Sequence, residues 1–227
     1  AILIAAAAFA YVRFEGAATS ELSGAEPVSA AEARAIGARW REARSDALGR
    51  DYAQALIRAG LYDELLTVIA ERGLFADDAL SSSMFRAEAS LRQGRYDEAM
   101  TAASADENPY LAFARARAGY ALTGDRRAVA TDLSHALRGP KALAGEAWLF
   151  RARLALDAND FASAEAAARR AAEAGVAPER VQLIGIEKSG RADDLEGAAR
   201  QLDARGKRRG VAVDPQDFRL AAMIKLR

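Results

Sequence analysis

The sequence predicts an all-α chain, a stack of helix–turn–helix units, and three observations carry that expectation. Of the 227 residues 51% are hydrophobic but only 7% aromatic, so alanine and leucine must fill the interior. With arginine and glutamate, these are strong helix formers. Runs of Val, Ile or Thr are few and no segment alternates with period two, which leaves no strand signal. A short turn then recurs at a spacing near 34 residues, a period that signals a solenoid of helix pairs.

The chain opens on AILIAAAAFAYV, an apolar run from Ala1 to Val12 closed by Arg13. As a helix it would span about 18 Å, short of the roughly 30 Å of a bilayer core. The chain starts without Met, so residues 1–13 are expected to be the end of a signal peptide or of an amino-terminal anchor. Ala8-Phe9-Ala10 has the small-x-small form of a cleavage site, which favours the signal. Glu15, Glu21 and Glu26 follow with only Arg13 opposing, so this flank is not the positive cytoplasmic side. The expected location is the cell envelope, periplasmic or anchored in the inner membrane and facing the periplasm. A buried first helix is the alternative. Richness in alanine and arginine resembles a high-GC bacterial proteome.

Residues 14–28 read as a tether, small and polar and broken by Gly24 and Pro27. Ser29 and Glu32 then form a capping box, and Ala33, Ile36, Gly37, Trp40 and Ala43 follow at helical spacing. The repeat domain is expected over 29–205.

Within it, LRQGRYDEAM (Leu91–Met100) reads helix, turn, helix. Related turns begin at Gly60, Gly94, Gly124, Asn159 and Gly190, at spacings of 34, 30, 35 and 31. The first residue must leave its helix in the left-handed conformation, which Gly or Asn adopts cheaply. Tyr62, Tyr96 and Phe161 stand two residues later, placed to pack into the angle between helices. Leu65, Ala99, Val129, Ala164 and Leu195 stand five residues after each turn, where the second helix approaches the first.

Through these turns the chain resembles the tetratricopeptide repeat family. Trp148 and Ala152 lie eleven and seven residues before Asn159, and Tyr120 four before Gly124. Ala53 and Ala87 are the small residues seven before Gly60 and Gly94, and Pro109, Pro140 and Pro178 are expected to close second helices. The likeness covers about Asp46 to Arg205 and is strongest at Gly94 and Asn159. Arg126 and Ala192 replace the aromatic after Gly124 and Gly190 and depart from the pattern.

The resemblance implies a right-handed superhelix of about five repeats, whose first helices line a concave groove. Carried over residue by residue, that groove takes Arg50, Gln54 and Arg58 from the first repeat and Met84, Phe85, Glu88 and Arg92 from the second. Leu111, Arg115 and Ala118 follow, then Glu146, Leu149, Phe150 and Arg153, and last Arg180 and Ile184. An apolar strip with excess arginine suits a protein or peptide segment carrying acidic and large apolar residues. The lysine and asparagine pattern by which some members clamp a chaperone's terminal carboxylate is absent.

No catalytic, cofactor or metal signature accompanies the repeats, and an enzyme is not expected. Charges balance at 32 against 32, without the basic excess of a nucleic-acid binder. There is no cysteine and one histidine, His135, so thiolate chemistry is excluded and a His-based metal site is practically so. Asp77-Asp78, Asp97-Glu98 and Asp193-Asp194 stand at helix starts, where they favour the helix dipole. Phosphate-loop and GxG spacings are lacking. Residues 206–227 are a basic loop with Lys207, Arg208 and Arg209, then a capping helix opened by Asp214-Pro215 and running through Phe218, Ala222 and Ile224. The expected role is a non-enzymatic interaction scaffold. The rival is an accessory subunit of a membrane complex, packing by its convex face or amino-terminal helix.

Overall fold

The computed structural model describes residues 28–206 apart from 72, 105 and 106. The expected signal or anchor, nearly all of the tether, the basic loop and the last helix lie outside the described residues. Among these, eleven helices occur and no strand. They are α1 (Ala30–Ala43), α2 (Asp46–Arg58), α3 (Tyr62–Glu71), α4 (Ala79–Arg92), α5 (Tyr96–Ala103) and α6 (Pro109–Thr123). After them come α7 (Ala130–Ala136), α8 (Lys141–Asp157), α9 (Phe161–Glu173), α10 (Pro178–Arg191) and α11 (Leu195–Gly206). The chain divides into two compact units, Ala1–His135 and Ala136–Arg227, described in turn.

In the first unit, the capping box forms: Glu32 N–H donates to Ser29 Oγ at 3.2 Å, and Ser29 N–H to the Glu32 carboxylate at 2.8 Å. Helix α1 lies on α2 through Gly37, where an added Cβ would stand 2.5 Å from the ring of Tyr52. Trp40 stacks on the same ring at 5.9 Å. Leu56, Leu65 and Val68 extend this core to α3, and Ala89 of α4 closes it. On another side of α4, Ala87 and Leu91 join Ala99, Ala103, Leu111 and Ala118 in a second core with α5 and α6. Helix α4 therefore touches α2, α3, α5 and α6, and small residues let it do so.

In the second unit, α8 and α9 pack through Leu149, Ala152, Leu156, Ala164, Ala167 and Ala171, with Ile184 of α10 added. Leu183, Ile186 and Ala198 join α10 to α11. Helix α10 touches α8 as well as α9, so each first helix meets its partner and the next first helix.

Four of the five turns within helix pairs close by the same bond. The N–H groups of Leu61, Arg95, Asp160 and Asp194 donate to the carbonyls of Leu56, Ser90, Ala155 and Ser189, each at 2.9 Å. The residue before each donor is left-handed: Gly60, Gly94, Asn159 and Asp193, with φ of 71°, 71°, 57° and 63°. This corrects the fifth turn, expected at Gly190, which is buried inside α10. Aspartate tolerates the left-handed region through its short polar side chain. Asp194 then caps α11 by accepting the Gly197 N–H at 2.9 Å. From Asn159 to Asp193 is 34 residues (193 − 159), nearer the common period than 31.

The turn at Gly124 differs. Gly124 is left-handed, but its own N–H donates to Tyr120 O, and the second helix waits until Ala130. Arg126, where the other repeats put an aromatic, is exposed and fills no inter-helix angle. The prolines also correct an expectation: Pro109 and Pro178 open α6 and α10, and Pro140 stands at the N-cap of α8. At such positions a missing N–H costs nothing.

Gly94→Ala is expected to lower stability by about 1–2 kcal/mol, because a Cβ disfavours the left-handed region. That Cβ would otherwise meet only the Tyr96 hydroxyl, at 3.9 Å. A urea melt checks it: an unchanged midpoint would mean the turn is not held left-handed.

Candidate functional site

The first-helix face of unit one is bonded within itself. Glu88 on α4 accepts from Arg92 Nε at 2.6 Å and from Arg117 Nη1 on α6 at 2.9 Å. The Arg92 side chain is 1% exposed, Arg117 10% and Glu88 15%. Burial alone would raise the Glu88 pKa; the guanidinium groups of Arg117 and Arg92 reverse this and hold it below the ordinary value. Arg117 also stacks over Phe113, 5.6 Å from the ring centre.

Around this triad, Arg50 pairs loosely with Asp78 at 3.8 Å, and Gln54 is exposed. Arg58 is half-buried within electrostatic reach of Glu32. Phe85 stacks on Phe75 at 5.1 Å, and Met84 leans on the α4–α6 core. Leu111 and Ala118 are inside that core. Arg115 points elsewhere: Nε and Nη2 donate to Asp132 of α7 at 3.0 and 2.8 Å, and Nη1 to Ala103 O at 2.7 Å. It joins α5, α6 and α7. The residue of α6 beside Glu88 is Arg117, which register counting missed. The i,i+4 pair Phe113/Arg117 was the available signal.

In the second unit, Glu146 takes both terminal nitrogens of Arg180, one at 2.7 Å. Arg191 donates to Asp157 and Glu187, each at 2.7 Å, and to Leu156 O. Glu146–Arg180 and Asp157–Arg191 are both 34 residues apart, so matching positions of adjacent first helices are linked. Leu149, Phe150 and Ile184 are buried. Arg153 is half-buried and has no ion pair among the described residues.

The other side of unit one carries a cleft of about 500 Å³ between α3, α4 and α5. Leu66 and Ala102 are its apolar walls; Ser83, Arg86 and Ser90 come from α4, Asp97, Glu98 and Thr101 from α5. At about 100° per residue, Ser83, Arg86 and Ser90 share a face roughly opposite that of Phe85, Glu88 and Arg92. Ser90 is 2% exposed and its hydroxyl has no hydrogen-bond partner among the described residues. Arg86 is exposed and forms no ion pair there, and neither does Asp97. Glu98 leans on Arg95 at 3.7 Å. Sequence reading missed this site because three separate helices assemble it.

The other chemical candidates have local roles. Asp78 caps α4 by accepting the Ser81 N–H at 2.9 Å, and hydrogen bonds from the Ser81 hydroxyl and N–H lower its pKa. His135 is half-buried in α7. Among the described residues, no cluster could hold a metal ion, and no helix is long and apolar enough to cross a membrane. No protein-family model, curated protein or solved structure matches this chain.

Proposed function

We propose that the chain is a tetratricopeptide-like protein of the bacterial cell envelope: a non-enzymatic scaffold of about five repeats, wound right-handed, that holds a partner segment. The observation that carries this is the turn closed by one repeated bond at four places, joined to linked first helices 34 residues apart. Such repeats make a broad rigid surface that needs no reactive group. The envelope location rests on the apolar run Ala1–Val12.

The contact surface is the α3–α4–α5 side, the face that the resemblance makes convex. Arg92 is bonded to Glu88 and almost fully buried, and Arg115 is bonded to Asp132 and Ala103, which leaves the first-helix face little to offer an acidic partner. The groove reading stays second, favoured by Arg153. A photo-crosslinking residue at Ser83 and, separately, at Gln54 tests the choice in cells expressing the full-length gene. An adduct from Ser83 and none from Gln54 is expected. An adduct from Gln54 alone would restore the groove. None from either would sink both, leaving an accessory subunit held by its amino-terminal segment.

A further inference from the structure

We propose that the cleft of α3, α4 and α5 binds a short extended peptide carrying one carboxylate and one ammonium or guanidinium group, with an apolar residue between. The inference rests on the α3–α4–α5 reading above and names the occupant. Arg86 and Asp97 line one cleft with opposite charges, yet form no ion pair with each other. A ligand with both signs completes them together, whereas a simple anion would meet Asp97 and Glu98, and a simple cation Arg86. Arginine prefers a carboxylate in two-point contact. Between the charges the walls are Leu66 and Ala102, which suit an apolar side chain.

Ser90 adds a hydrogen-bonding group. Its hydroxyl bonds no other described residue and lines the cleft. From the α4 wall, with Ser83 two helical turns away on the same face, it can bond a peptide N–H or carbonyl. A peptide backbone presents both groups between its charged side chains. A cleft of about 500 Å³ holds a few residues.

The test titrates the full 227-residue chain, labelled with ¹⁵N, with acetyl-Glu-Leu-Lys-amide and acetyl-Lys-Leu-Glu-amide, since either direction is open. Saturating shifts at Ser83, Arg86, Ser90 and Thr101 are expected for one of them, with a Kd of roughly 0.1–1 mM. Arg86→Glu should weaken that peptide about fivefold or more, and added salt should weaken it too. Ser90→Ala should weaken it about threefold or more while leaving the melting temperature unchanged, an outcome that a purely structural serine does not produce. No saturable shift with either peptide overturns the proposal. So does equal affinity for free glutamate, because the backbone then contributes nothing. Adducts at Ser83 in cells together with silent peptides would leave the contact surface standing and remove this occupant.

Discussion

Glu88→Gln is expected to lower stability by about 3–5 kcal/mol. Glu88 is bonded by both Arg92 and Arg117, and all three side chains are largely buried. Glutamine keeps the shape but removes the charge, so two guanidinium groups lose the Glu88 charge in a poorly solvated place. The pH dependence gives an independent check. Glu88 has a depressed pKa in the fold, so its contribution is complete above the unfolded value of about 4.3 and fades as pH falls through the lower folded value. The variant lacks that group. The gap between wild type and Glu88→Gln should therefore be full at neutral pH and narrow on acidification below about pH 4. Urea melts across that range measure it, and a gap that stays constant or widens would mean that Glu88 is not held ionised by the two arginines.

Ala99→Phe is expected to cost about 1–3 kcal/mol through overpacking, and more if α5 cannot shift. Ala99 is fully buried, in one core with Ala87, Leu91 and Leu111, so a ring there must push α5 away from α4 and α6. At roughly 2–4 °C per kcal/mol for a chain of this size, the melting temperature should fall by several degrees. Ala164 holds the equivalent place between α8 and α9, with no exposure, and should respond alike. A melt unmoved by Ala99→Phe would show that the helices do not touch there.

Helical content, the Ser29–Glu32 cap and the turns at Gly60, Gly94 and Asn159 were legible in the sequence by itself. These features are settled within a few residues, by backbone sterics, by local hydrogen bonds and by the aromatics Tyr62, Tyr96 and Phe161 that lean on the cores beside them. The fifth turn was harder because a buried glycine can sit inside a helix, as Gly190 does, while Asp193 takes the left-handed place. The site depended on tertiary structure. Arg115 and Arg117 are two residues apart and so roughly 200° apart around α6, enough to send one to Asp132 and the other to Glu88. Where the turn at Gly124 departs from the repeat, counting cannot fix that rotation. Nor can counting tell that Arg92 is already bonded while Arg86, about 120° away around α4, has no ion pair among the described residues. Those facts belong to helices brought side by side from about thirty residues apart, and only their packing decides which charges meet.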